Sequence, residues 1–326
     1  MSESLPRNLG LDLVRVTEAA ALSAGRWIGL GSRDQPYHAA VDAMASILET
    51  IEMDGHIVIG EEGRLGEHSP LDTNQRVGTG GGPVVDVVVN PIDGANLVAR
   101  GHSGAISVVG VAPRGALWSP APAVYMDKIV VDGEVAPSLV SECLGAPAAW
   151  VLALVARKKK KAVRDLVVFV LERPRHADLI DEIRAAGARI LLRADGDIGG
   201  AIMAADPKIA VDMLMGIGGA AEGIIAACAV KALGGAMLAR LAPQSDEEQA
   251  AVQAARLDAE RALTCDDIVA SNQSFFAATG VTDSLLLSGV RYHGRLTETD
   301  SLVLRSETHT RRRIQAEHVI DSDAPD

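Results

Sequence analysis

Residues 86–96 read Asp86-Val87-Val88-Val89-Asn90-Pro91-Ile92-Asp93-Gly94-Ala95-Asn96. The β-branched run predicts a buried strand, and Pro91 and Gly94 stop it in a tight acidic turn. In open α/β sheets, ligands bind at the carboxyl ends of strands, which makes Asn90 and Asp93 candidate site residues.

Working outward, residues 56–59 form a second short strand ending at Gly60-Glu61-Glu62, again with acids at a strand terminus. Helices over 11–27 and 37–53 precede it, and the Gly/Pro-rich loop 78–83 feeds the strand that ends at Asn90. Strands are expected at 105–111, 124–130, 166–171, 189–192 and 209–214, with helices near 138–157, 177–186 and 220–233. From about residue 165 the alternation predicts βα units and a largely parallel sheet, whereas the successive strands before it predict a mixed one. The expected class is α/β in two domains, 1–150 and 151–326, with the boundary near the helix at 138–157.

Hydrophobic residues fill 48% of the 326 positions but aromatics only 3%, so the core must be aliphatic. A formal charge of -12 argues against nucleic acid and anionic membranes as partners, yet leaves room for a local basic pocket that takes small anions. Cys143, Cys228 and Cys265 are widely spaced, which predicts buried thiols rather than disulfides or a thiolate metal site. No charged leader with an apolar core opens the chain, so a cytoplasmic protein is expected. The basic run Arg157-Lys158-Lys159-Lys160-Lys161 reads as a solvated helix end in preference to a docking patch.

Glu61 and Asp93 each neighbour a glycine that lets a ligand approach closely, and their carboxylates suit Mg²⁺ or Mn²⁺; singly, each reads better as a turn acid, but jointly, with the Asn90-Pro91-Ile92-Asp93-Gly94 context, they favour a site. Glu222 follows Gly216-Ile217-Gly218-Gly219, a strand-to-helix turn suited to phosphate, although a first-turn Glu is also favoured by the helix dipole alone. Arg173-Pro174-Arg175-His176 follows a strand and offers guanidinium forks to a phosphate, or is a basic surface turn. The carboxylates of Asp195-Gly196-Asp197 suit sugar hydroxyls, or a turn with an N-cap. Gly78-Thr79-Gly80-Gly81-Gly82 has no following Lys-Ser/Thr pair and is not a nucleotide P-loop.

With these residues assembled, the chain resembles the class II fructose-1,6-bisphosphatases, within the lithium-sensitive sugar and inositol phosphatase superfamily, over nearly its full length. The resemblance rests on Arg15-Val16-Thr17-Glu18, Ala39-Ala40-Val41-Asp42-Ala43-Met44, Ile57-Val58-Ile59-Gly60-Glu61 and Val77-Gly78-Thr79-Gly80. It continues through Tyr125-Met126-Asp127-Lys128, Pro174-Arg175-His176, Asp195-Gly196-Asp197, Gly216-Ile217-Gly218-Gly219 with Glu222, and Ala278-Thr279-Gly280. It implies a layered αβαβα fold, a homo-oligomer (dimer or tetramer), Mn²⁺ or Mg²⁺ held by carboxylates, and a small sugar bisphosphate as substrate in gluconeogenic carbohydrate metabolism. The N-terminal domain would carry the metal and phosphate site and the C-terminal domain the sugar phosphate. By position, the resemblance implies metal ligands at Glu61, Asn90, Asp93 and Glu222, the first three also catalytic. It implies substrate contacts at Asp93, Gly94, Ala95, Tyr125, Arg173, Arg175, Asp195, Asp197 and Gly219.

The pattern also departs from the family. Asp-Pro-Ile-Glu-Gly-Thr is here Asn90-Pro91-Ile92-Asp93-Gly94-Ala95, a Lys and an Asp of the family appear as Arg33 and Tyr37, and a Lys appears as Arg173. The acid-rich loop after Glu61 reads Glu62-Gly63-Arg64-Leu65-Gly66-Glu67. Losing an anionic ligand and the hydroxyl that activates water predicts weaker metal attraction and turnover slowed about 10²- to 10⁴-fold. Arg33 or Arg64 is a candidate to neutralise Glu61 and Asp93 in place of a cation. The expectation is metal-assisted hydrolysis of a sugar bisphosphate with reduced or altered activity. The alternative is a divergent paralogue that binds a sugar phosphate for non-hydrolytic chemistry or regulation, with Tyr37, His38, Tyr125 and His176 as proton-transfer candidates. A third reading is a structural subunit associating with an intact homologue.

Overall fold

The computed structural model of the chain describes residues 5–61 and 68–319. The chain forms two compact units, the first from Met1–Gly115 with Gln273–Asp326 and the second from Ala116–Asn272, so unit 2 is an insertion within unit 1.

In unit 1, helices α1 (Leu9–Gly25) and α2 (Asp34–Leu48) cover one face of an eight-stranded sheet. Its early strands are β1 (Asp54–Ile59), β2 (Arg76–Val77), β3 (Val84–Asp93) and β4 (Ile106–Pro113), with the short helix α3 (Ala95–Arg100) between the last two. After the insertion come β11 (Phe275–Gly280), β12 (Arg291–His293), β13 (Leu296–Arg305) and β14 (Thr310–Val319). The order is β12-β13-β11-β4-β3-β1-β2, with β14 on the far side of β13. β1 and β3 are parallel and the other pairs antiparallel, as the mixed-sheet expectation required. Alternation along the strands sends Val87 and Val89, Val109 and Ala277 toward Leu13, Ala20 and Met44 of the two helices. On the same face a chain of buried hydroxyls runs from Thr17 to Thr279 (2.7 Å) and on to Ser301 (2.8 Å).

Unit 2 holds a six-stranded sheet of β5 (Tyr125–Val131), β6 (Val167–Leu171), β7 (Arg189–Arg193), β8 (Met213–Gly219), β9 (Ala236–Leu241) and β10 (Leu263–Thr264), in the order β10-β9-β5-β8-β6-β7. Helices α4 (Ala148–Lys159) and α5 (Ala177–Ala185) pack on the face that carries Val168 and Val170. On the other face α6 (Asp197–Ala205) presents Gly200 to the ring of Phe169, with no room for a Cβ between them, and α7 (Ala220–Leu233) lies beside it. Helices α8 (Asp246–Ala254) and α9 (Cys265–Ile268) complete the unit. Among the described residues no helix is long and apolar enough to cross a membrane.

Several expectations need correction. The chain does not divide at 150, which lies inside α4 of unit 2; β11 pairs with β4 over six consecutive positions and returns the C-terminal segment to the first sheet. The second sheet is parallel only across β8-β6-β7, because β5 enters between β8 and β9 in the opposite direction. Strand β8 begins at Met213 rather than at 209 and continues through the glycines read as a turn. The helix expected over 138–157 is two 3₁₀ turns followed by α4. The basic run is not merely solvated, since the buried Lys159 ammonium reaches Asp132 (2.8 Å) and Asp212 (3.0 Å). The three cysteines are free and buried, and burial pushes the Cys228 and Cys265 thiols up to about 12.

Leu13 is fully buried under α1, whereas Leu11 on the same helix is 48% exposed. Leu13→Ala should therefore cost about 2–5 kcal/mol in urea unfolding, while Leu11→Ala should stay within about 0.5 kcal/mol of wild type.

Candidate active site

In unit 1 the parallel pairing of β1 with β3 aligns Ile59 with Val88, so both strands finish at the same sheet edge. Glu61 follows directly on β1, its amide donating to the Leu71 carbonyl (3.1 Å) and its carboxylate buried. Gly60 is required there, because a Cβ would strike the Leu71–Thr73 backbone. Asn90 and Asp93 occupy the end of β3, where the ladder to β4 slips by one residue: Asn90 faces Val108 but Asp93 faces Ile106. That bulge at Pro91-Ile92 re-aims the strand end, a common device beside sites. Gly94 then adopts φ +100° and opens α3 with Ala95 as its first residue. Glu61, Asn90 and Asp93 are thus three buried polar side chains at two adjacent strand ends.

The Asn90 Oδ1 atom is buried with no hydrogen-bond partner among the described residues. A buried carbonyl left unpaired costs about 1–3 kcal/mol, and a hard divalent cation is a ligand that satisfies such an oxygen. Two buried carboxylates and one neutral carbonyl therefore fit Mg²⁺ or Mn²⁺ in donor chemistry, although among the described residues no three Asp, Glu, His or Cys side chains gather as a cage. Arg33 does not take a cation's place: it is exposed at the start of α2 and makes no ion pair among the described residues. Arg64, with the rest of loop 62–67, lies outside the described residues. Tyr37 is buried in the helix–sheet core and His38 is exposed, so neither is set up as a proton-transfer pair.

In unit 2, the parallel strands β8, β6 and β7 likewise deliver their carboxyl ends to one edge, joined there by the start of β5, since Tyr125 pairs with Gly219. Both Nε (3.1 Å) and Nη2 (2.9 Å) of Arg175 donate to the Ile217 carbonyl, and its guanidinium lies 4.9 Å from the Tyr125 ring centroid. Arg173 reaches Asp195 (3.4 Å). Gly196, at φ +91°, leads into α6, whose first residue Asp197 is buried against the Lys128 ammonium. Glu222 lies in the first turn of α7 with its carboxylate folded against Gly219, where a Cβ would collide with it.

His176 is not available for proton transfer. Its Nδ1 sits 2.6 Å from the Leu171 carbonyl, and its Nε2 accepts from the Ile217 amide at 2.8 Å, which together describe a neutral ring protonated on Nδ1. Gly216, at φ +123°, leaves the space this ring fills. Sequence reasoning also missed Glu248, whose Oε1 accepts from the amides of Val124 (2.7 Å) and Tyr125 (2.9 Å) and so anchors the start of β5. Ser245 and Glu248 carry the spacing of a capping box, but only the serine half closes locally. Lys128 was legible only as part of a motif.

Among known proteins, the family model for bacterial, glpX-encoded fructose-1,6-bisphosphatase matches residues 7–318. The chain is 38% identical over 328 residues to "Fructose-1,6-bisphosphatase class 2" of Haemophilus influenzae, covering 97% of each chain. It is 36% identical over 333 residues to "Fructose-1,6-bisphosphatase 1 class 2" of Escherichia coli K12, covering 98% of each, and equally to "Fructose-1,6-bisphosphatase class 2" of the O6:H1 strain.

Burial, reinforced by the Arg175 charge, holds His176 below the ordinary imidazole value of about 6.5. The unfolded chain accepts this proton before the folded one does. The stability His176 contributes is therefore full above about pH 6.5 and is lost as pH falls from there toward the lower folded value. An NMR titration of the imidazole should show a midpoint below 6.5, and His176→Gln should flatten the acid side of the stability profile.

Proposed function

Because the chain belongs to the family of bacterial class II fructose-1,6-bisphosphatases, we propose that it hydrolyses a sugar bisphosphate with a reduced catalytic set. The observation that carries this reading is the buried group of Glu61, Asn90 and Asp93 at two adjacent parallel strand ends, with the Asn90 carbonyl left for a ligand. In this proposal Glu61, Asn90 and Asp93 of unit 1 would hold Mg²⁺ or Mn²⁺. Such a cation supplies Lewis-acid polarisation of a phosphoryl oxygen and lowers the pKa of water.

The chain's own residues do the remaining work. Arg173 and Arg175 supply fixed positive charge to a phosphate, and the backbone contacts of Arg175 cut the entropy lost on binding. Tyr125 gives a flat wall beside it, and the carboxylates of Asp195 and Asp197 are acceptors for sugar hydroxyls. Asn90 offers a neutral oxygen where a carboxylate would bring a full charge, and Ala95 opens α3 with no hydroxyl to orient an attacking water. The second reading, a sugar-phosphate binder without hydrolysis, draws on this same absence at Ala95.

Phosphate release from fructose 1,6-bisphosphate should appear with Mn²⁺ or Mg²⁺ and vanish in EDTA. Asn90→Asp combined with Ala95→Thr should raise it about 10²-fold or more. Tight binding of the sugar phosphate in EDTA, with no release by either the wild type or the double variant, would replace hydrolysis with the binding reading.

A further inference from the structure

We infer that Lys128 is the positioning residue for two of the three acids assigned to unit 2, acting on Asp197 directly and on Glu222 through Gly219. The inference deepens the proposed sugar-phosphate site and rests on it for its consequence to ligand binding, while the positioning itself is a property of unit 2 alone.

Lys128 lies on β5 with its side chain 1% exposed, an unusual place for an ammonium group. Its stem passes Gly223 of α7, where a Cβ would come within 3.2 Å of Cδ. The ammonium then pairs with Asp197, the first residue of α6, and donates to the carbonyl of Gly219 at 3.0 Å, the residue just before α7. One buried cation thus ties together the starts of two helices. The glycines of β8 fit around it: a Cβ at Gly218 would strike the Asp197 carboxylate and lie 2.8 Å from Nζ, and one at Gly219 would strike the Glu222 carboxylate.

Stability alone does not explain this arrangement. Well-packed apolar side chains of similar volume often do as well as or better than a buried ion pair, whereas here the ammonium also donates to the Gly219 carbonyl, a contact no apolar side chain makes. Lys128 holds Asp197 at one orientation, and by fixing the Gly219 peptide it fixes the surface against which Glu222 is folded. Removing the cation therefore frees both acids together, although they belong to different helices.

The test uses the full chain with Lys128→Met, Lys128→Arg and the charge-free double variant Lys128→Met/Asp197→Leu, which leaves no buried carboxylate unpaired. Amide hydrogen exchange without ligand should rise at least tenfold in residues 195–200 and 216–223 of both Met-containing variants, with α1 unchanged. Fructose 6-phosphate affinity, measured by calorimetry in EDTA, should fall at least tenfold in Lys128→Met and stay within threefold of wild type in Lys128→Arg. Unchanged exchange in those two segments, or an equal rise throughout both units, overturns the inference. So does undiminished affinity in Lys128→Met. If the wild type binds no sugar phosphate, the functional proposal fails and the exchange result still decides the role of Lys128.

Discussion

A parallel pair of strands must bring both its carboxyl ends to the same edge of a sheet, and the candidate site depends on this constraint in each unit. In unit 1 a single parallel pairing, β1 with β3, sets Glu61 beside Asn90 and Asp93. In unit 2 the run β8-β6-β7 does the same for Gly219, Arg173 with Arg175, and Asp195. The antiparallel strands supply extent and burial, and they contribute to the site mainly where their starts reach that edge, as Tyr125 does.

The candidate residues of the two units are held by different means. The unit 1 residues are set by backbone geometry: a Gly60 packed on its neighbour, a one-residue bulge and a left-handed Gly94. The unit 2 residues are set by polar side chains held on specific partners: buried His176 between two peptide groups, half-buried Arg175 on one carbonyl, buried Lys128 between a carboxylate and a carbonyl. Such contacts favour one arrangement, because breaking them leaves a buried donor or acceptor unmet. Substitutions in unit 1 thus alter which atoms are offered, whereas in unit 2 they alter where those atoms stand.

Much of this was legible in the sequence wherever apolar periodicity and turn chemistry agreed. The runs that became β3, β4 and β6 are rich in Val, Ile and Leu, and α5 and α7 lie almost where the pattern put them. Strand β13 was not legible, because part of its buried length carries hydroxyls. Thr297, Thr299 and Ser301 of β13 are all buried, and a count of apolar residues reads them as surface. The glycines misled in the opposite direction. Gly216 to Gly219 read as a breaker, yet the strand continues through them, since each missing Cβ is occupied by a side chain from elsewhere in unit 2. The acidic and basic site residues were legible one at a time, but their partners were not, since pairing between β5, α6 and α7 is a matter of tertiary register.

The placement of unit 2 inside unit 1 sets an order of events during synthesis. Every strand of the second sheet emerges from the ribosome before β11, β13 and β14 of the first exist. Until then β4 stands with one side unpaired, a mostly apolar strand able to template pairing with another chain. A chain halted before Phe275 would not be a shorter, merely inactive protein: it would carry all of unit 2 and, in unit 1, an open, adhesive sheet edge.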